Sequence, residues 1–205
     1  FNSVSMNYLV SSSRSFSLSP DWRESLEWMG QNTPDTGVDY LAIYDKNTFT
    51  YPNTAYGVMS WWDYGHMITY IAKRIPNANP FQQGVAGPTG AAAYFVATDE
   101  GTANAILDAD GTRYVITDYM MDWGKFGPMA TWYNSTAALD PFMTTLLIPD
   151  QDRASTTATL AILNKPLYYQ TIVSRLHNFD GSMTTAGNTS YYVEYADPVI
   201  TGTSL

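Results

Sequence analysis

"AYGVMSWWDYGHMITYIAKRIP", residues 55–76, is the stretch that decides the architecture. Its first part, 55–62, is apolar and aromatic and predicts a strand. Its second part, 65–75, has helical spacing, with Met67, Ile71 and Ile75 in line, and stops before Pro76. Asp63 stands at the junction, ahead of Gly65. A carboxylate at a strand end is a common way to present a functional side chain.

Outward from this junction the pattern stays mixed. "SPDWRESLEWMGQNTP", 19–34, reads as a helix. Ser19 is its N-cap and Pro20 its first residue, and Trp22, Leu26 and Met29 fall on one face. "VDYLAIY", 38–44, predicts a strand. Residues 91–111 predict one or two helices, with Thr98 capping the second, and 112–120 a strand. "GKFGPMATWY", 124–133, predicts a short helix or irregular turn interrupted by Pro128. Residues 165–179 have helical spacing, and "SYYVEYA", 190–196, alternates like an edge strand. The expectation is a mixed α/β (α+β), helix-rich single globular domain with a few short strands, its core running roughly from 20 to 200.

Composition narrows the partners. The net charge is -9 over 205 residues and only Lys73-Arg74 are adjacent basic residues, which argues against nucleic acid. Cysteine is absent, so there is no disulfide framework and no cysteine zinc site. His66 and His177 lack companions at metal-ligand spacing. "DADG", 108–111, reads as a turn and not a calcium loop, because the closing Glu is missing. "GVAGPTGAAA", 84–93, reads as a turn before a helix and not a phosphate loop. No apolar run approaches the length of a membrane span. The chain opens on Phe1 and reads as a piece of a longer polypeptide. Sixteen Tyr and six Trp suit recognition surfaces. Asn134 and Asn188 each head an Asn-X-Ser/Thr triplet.

Two readings of Asp63 stand side by side. It is a preferred helix N-cap residue, and the helix beginning near His66 needs one. Alternatively it works with its neighbours. Trp61 and Trp62 each own a donor-only indole N–H, and ionised Asp63 is acceptor-only. Donors and an acceptor on adjacent residues can enclose a hydroxyl, which both gives and takes a hydrogen bond. In a plain strand Trp62 would oppose the other two, so convergence needs a turn, which Gly65 permits.

"WWDYG", 61–65, is similar to the signature pentapeptide of oligosaccharyltransferase catalytic subunits, which N-glycosylate Asn-X-Ser/Thr sequons. "YGVMSWWDYGHMI", "RIPNANPFQ" and "YVITDYMM…GKF…M" resemble successive blocks of the archaeal members, over roughly residues 20–180. The resemblance implies the C-terminal soluble domain of such an enzyme. It implies that Trp61, Trp62 and Asp63 bind the hydroxyl of the Ser or Thr two positions after the acceptor Asn, with Tyr64 and Gly65 as framework. "DYMMDWGKFGPMATW", 118–132, is similar to the family's Asp/Lys-type second motif, with Asp118, Lys125 and Met129 as matches. The resemblance further implies a metal, Mn²⁺ or Mg²⁺, and catalytic carboxylates in a transmembrane half outside this chain, so no catalytic or metal residue is assigned here and no cofactor is expected on this piece. The implied partners are the acceptor polypeptide, a lipid-linked oligosaccharide and the protein's own transmembrane half, at the extracellular face of the membrane. A carbohydrate-binding or surface-layer module, with sugars stacked on Trp61 or Trp62, is the alternative. Gly124, Gly127 and Pro128 suggest a hinge that opens and closes over the bound sequon.

Overall fold

The computed structural model describes residues 18–149 and 158–178. Helix α1 (Pro20–Asn32) begins as its sequence dictates: Ser19 Oγ accepts from the Trp22 amide, Pro20 occupies the first turn, and Trp22, Leu26 and Met29 are buried. The following run 38–44 is not a strand. Leu41 and Ile43 are exposed, and the carboxylate of Asp39 takes the Leu41 amide at 2.9 Å. Local Asx turns at Asp39 and Asp45 satisfy backbone groups that a sheet would otherwise pair.

Strand β1 (Gly57–Met59) lies in the middle of a parallel three-stranded sheet, flanked by β2 (Ile75–Pro76) and β3 (Thr112–Val115). All three of its residues are buried. The chain then coils through a 3₁₀ turn (Trp62–Tyr64) into α2 (Gly65–Met67), which widens into a π-helical turn (Ile68–Ala72). The helix ends three residues before the predicted stop, because Lys73 takes a left-handed conformation (φ 52°) that sends Arg74 back toward α1.

Arg74 is 3% exposed and faces no carboxylate among the described residues. Its guanidinium donates to the carbonyls of Met29, Gly30 and Thr33 at the end of α1, to those of Ala72 and Lys73, and to the Thr33 hydroxyl. One cation thereby caps the C-terminal carbonyls of two helices, where both hydrogen bonding and the helix dipole favour positive charge.

Two further helices follow, α3 (Ala91–Val96) and α4 (Glu100–Ala109). Every residue of α3 is buried, and it packs on α4 and two later helices. The cap of α4 is Asp99, not Thr98: its extended backbone precedes the first turn and its Oδ1 takes the Thr102 amide at 2.8 Å. The strand expected to reach residue 120 stops at Val115, since Asp118 starts α5 (Tyr119–Trp123). Helix α6 (Phe126–Tyr133) contains Pro128 without interruption, because its missing N–H falls in the first turn, where no intrahelical partner exists.

An antiparallel hairpin of β4 (Met143–Pro149) and β5 (Ala158–Asn164), absent from the sequence-based expectation, precedes α7 (Ile172–Asn178). The strand expected at 190–196 lies outside the described residues. Among the described residues, seven α-helices and two small sheets make an α+β fold. Among the described residues no helix is long and apolar enough to cross a membrane.

Candidate functional site

The WWDYG segment follows the C-terminal end of β1, the end at which parallel sheets usually present ligands. Trp61 still has extended backbone, and its ring is 2% exposed within the core. A ring so enclosed cannot stack on a sugar, which removes Trp61 from the carbohydrate-binding alternative. Trp62, half-buried, lies 6.5 Å from Trp61 between ring centroids. The turn that brings Asp63 round to the outer side is real, but Gly65 serves it differently than expected. Its φ is an ordinary −57°. The backbone of Ala78 and Asn79 crosses so closely that a Cβ here would meet Asn79 Cα at 2.7 Å. Glycine is required by close approach and not by conformation.

Asp63 does not cap a helix. Neither the 3₁₀ turn nor α2 has a side-chain cap. Its Oδ2 instead makes an ion pair with Lys125 Nζ, bridging the two segments that the sequence singled out. Both side chains keep partial exposure, so the pair's worth lies in geometry more than in stability.

Lys125 also stands 3.9 Å from the centroid of the Tyr64 ring. Trp22 of α1 stacks on the same ring at 4.1 Å and 14°. The two contacts cannot share a face, since an ammonium that close would overlap the indole. Tyr64 is therefore sandwiched between Trp22 and Lys125. Its hydroxyl donates to Asp118 Oδ2 at 2.7 Å, and the Trp22 indole N–H donates to the same oxygen at 2.7 Å. Burial, and then the Asp118 hydrogen bond, hold the Tyr64 phenol far above its ordinary pKa, so it remains a donor. Asp118 Oδ1 takes the Met121 amide at 2.9 Å and caps α5.

The far end of α5 is tied as well. Asp122, 8% exposed, accepts from the Tyr168 hydroxyl at 2.6 Å and from Asn178 at 2.9 Å. Helix α5 is thus anchored at both ends, and the turn carrying Gly124 and Lys125 leads from it into α6. Met129 lies on α6 and is fully buried beside Phe126 and Ala130. The sequence pattern brought out Asp63, Tyr64, Asp118 and Lys125, which the fold unites. It missed Trp22 and Asp122, which carried only core-face and generic acidic signals.

Two polar atoms at this site are buried without a partner among the described residues: Trp62 Nε1, a donor, and Asp63 Oδ1, an acceptor. Ser60 Oγ, just before the motif, is likewise unpartnered, whereas both oxygens of Asp118 are engaged. A hollow of about 210 Å³ lined by Tyr51, Tyr56, Asn77 and Asp110 sits elsewhere, at the opposite ends of the parallel strands. Among the described residues no three His, Asp or Glu side chains gather to hold a metal ion.

The AglB core domain model matches residues 19–122. The dolichyl-monophosphooligosaccharide–protein glycotransferase AglB of Haloferax volcanii is 37% identical over 185 residues, covering 80% of this chain and 17% of that protein. A crystal structure of the Archaeoglobus fulgidus oligosaccharyltransferase, tethered to an acceptor peptide containing the NVT sequon, superimposes with a TM-score of 0.69 at 32% identity, over 84% of this chain and 23% of that one. An Archaeoglobus fulgidus AglB in complex with an inhibitory peptide and a dolichol-phosphate gives 0.70 at 32% identity, over the same shares. The chain spans about a fifth of the length of the curated relatives it matches. With the family model covering residues 19–122, half of the chain, and the relatives extending beyond it, this chain belongs to the AglB family, matching the C-terminal part of archaeal oligosaccharyltransferases.

Proposed function

We propose that this chain is the sequon-recognition domain of a protein N-glycosyltransferase, and that Trp62 and Asp63 take the hydroxyl of the Ser or Thr two positions after the acceptor Asn. The unpartnered pair Trp62 Nε1 and Asp63 Oδ1 carries the proposal. A buried polar atom left unpaired costs about 1–3 kcal/mol, so a folded protein that tolerates a donor and an acceptor on adjacent residues has a use for both. A hydroxyl satisfies both at once. An amide or a carboxylate could not do so through a single atom.

Both atoms are shielded from solvent, so a hydroxyl reaches them only when their cover parts. Lys125 is the neighbour suited to that movement. It follows Gly124, where a Cβ would come within 2.9 Å of Met120 Cε, whereas a Cβ at Gly127 would meet open space, so packing does not demand a glycine at that second position. In this proposal the 124–128 turn opens for the peptide and closes over it. Met129 completes the apolar floor beneath the turn. Requiring the hydroxyl would be a strong filter, since a peptide lacking it leaves both atoms unpaired.

The whole protein, in this reading, transfers an oligosaccharide from a dolichol carrier to the acceptor Asn; its relatives are named as dolichyl-monophosphooligosaccharide– or dolichyl-phosphooligosaccharide–protein glycotransferases. The transmembrane half, the divalent metal and the extracellular setting belong to that larger proposal. This domain would contribute by holding the sequon in place, and positioning alone can supply a large share of a rate enhancement. The test is peptide affinity for the full-length protein. Asn-X-Thr should bind roughly tenfold or more tighter than Asn-X-Ala, the equivalent of one lost buried hydrogen-bond pair. Equal affinities would refute it.

A further inference from the structure

Trp22 belongs to none of the motifs that the sequence singled out for the pocket, yet it touches two of the pocket's supports. It stacks on Tyr64 and donates its indole N–H to Asp118. Lys125 occupies the other face of Tyr64 and reaches Asp63 from there. We propose that Trp22 is a positioning residue: with Asp118 it clamps the Tyr64 ring, and when the 124–128 turn is closed the clamped ring seats Lys125 on Asp63 Oδ2, which leaves Asp63 Oδ1 for the bound hydroxyl. This rests on the hydroxyl-recognition function proposed above.

The need for such a clamp follows from the side chains involved. The terminal torsion of an aspartate is broad, so nothing intrinsic distinguishes its two oxygens. A single ammonium on Oδ2 makes that distinction. Lysine, however, is a point charge on a flexible stem and does not hold itself in place. An aromatic face gives it a seat, provided the ring cannot turn. Tyr64 is prevented from turning by three contacts: the indole at 4.1 Å, its hydroxyl bond to Asp118 at 2.7 Å, and its own burial at 8% exposure. Trp22 is fixed in turn by its 2.7 Å bond to Asp118. Donation of the phenol proton toward a carboxylate also enriches the ring in electron density, which strengthens its attraction for the ammonium.

A double-mutant cycle on the full-length enzyme, with Asn-X-Thr peptide as acceptor, tests the chain of contacts. Trp22→Leu should raise KM about tenfold and leave kcat unchanged, because the lost contact binds substrate and transition state alike. Lys125→Met should do the same. The double variant should be no worse than Lys125→Met alone, since Trp22 acts only through Lys125. Trp22→Phe, which keeps the ring face and loses the N–H, should bring KM back to within about threefold of the parent.

An unchanged KM in Trp22→Leu, or effects that multiply in the double variant, would overturn the clamp; a merely structural Trp22 would give the second. Should Trp22→Leu fail to melt cooperatively, Trp22→Phe takes its place in the cycle, and multiplication there overturns the clamp equally. Asp63→Asn separates the two proposals. If it raises KM while Trp22→Leu does not, the clamp fails and hydroxyl recognition stands. If it leaves KM unchanged, hydroxyl recognition fails and the clamp with it.

Discussion

The helix over 65–72 has two unlike ends. At its C-terminal end Arg74 makes six hydrogen bonds, and the closing carbonyls of two helices are satisfied by one buried cation. At its N-terminal end Trp62 Nε1 and Asp63 Oδ1 have no partner among the described residues, although Asp118 close by is fully used. Both ends are rich in buried polar groups, so burial alone does not distinguish them. What differs is completeness. The saturated end fixes α1 against the helix, and the unsaturated end keeps capacity for something from outside.

The contrast predicts opposite responses to mutation. Arg74→Met should cost the most stability, on the order of 4 kcal/mol, because it strips the donor from several buried carbonyls at once. Thermal melting should show a drop of roughly 10 °C for a domain of this size. Asp63→Ala should behave in the reverse manner. Peptide affinity should fall roughly tenfold to a hundredfold, corresponding to about 1–3 kcal/mol, while the melting temperature moves little. Titration of Asn-X-Thr peptide alongside a melting curve reads both quantities on one sample. A large loss of stability in Asp63→Ala would erase the distinction between the ends.

A third prediction concerns alkaline pH, where tyrosines buried at separate places in the fold contribute. Burial pushes the Tyr94 phenol up to about 12, and burial with a carboxylate partner holds Tyr64 and Tyr168 above their ordinary value as well. The unfolded chain ionises these phenols near 10.0, while the folded chain still retains their protons. Stability should therefore be flat up to about pH 9 and fall as pH rises beyond about 10. Urea midpoints measured across that range check it, and Tyr94→Phe should flatten part of the slope. The smallest effect is expected at the surface. Arg175 and Glu100 pair at 3.0 Å with both side chains exposed, and Arg175→Ala should change stability by less than about 1 kcal/mol.

How far the sequence revealed this arrangement depended on whether a signal was local. Helix α1 was legible because its cap, its first-turn proline and its buried face all lie within a few residues of one another. The false strand at 38–44 had the right residue types, but a strand needs a partner, and the Asx turns of Asp39 and Asp45 captured the backbone first. The hairpin of β4 and β5 went unnoticed because its strands are recognised by pairing with each other more than by alternation within either. At the site, Asp63, Asp118 and Lys125 came from motif resemblance. Their contacts could not, since Asp63 and Lys125 lie 62 positions apart and Trp22 and Asp118 lie 96 apart. Trp22 looked like an ordinary core residue on α1, and Arg74 like half of an adjacent basic pair. Gly65 was recognised, but for conformational freedom; its actual constraint is the backbone of residues 78–79, which no local pattern announces.

The most direct test is the indole N–H spectrum of the protein with a tethered peptide, attached through one engineered cysteine in a chain that has none. Trp62 and Trp22 then serve as probe and internal reference, because the Trp22 N–H is already bound to Asp118. An Asn-X-Thr peptide should move the Trp62 indole proton downfield, Asn-X-Ala should leave it in place, and the Trp22 signal should hold still with both. A Trp62 signal that responds identically to the two peptides, or to neither, would contradict recognition of the hydroxyl at this site.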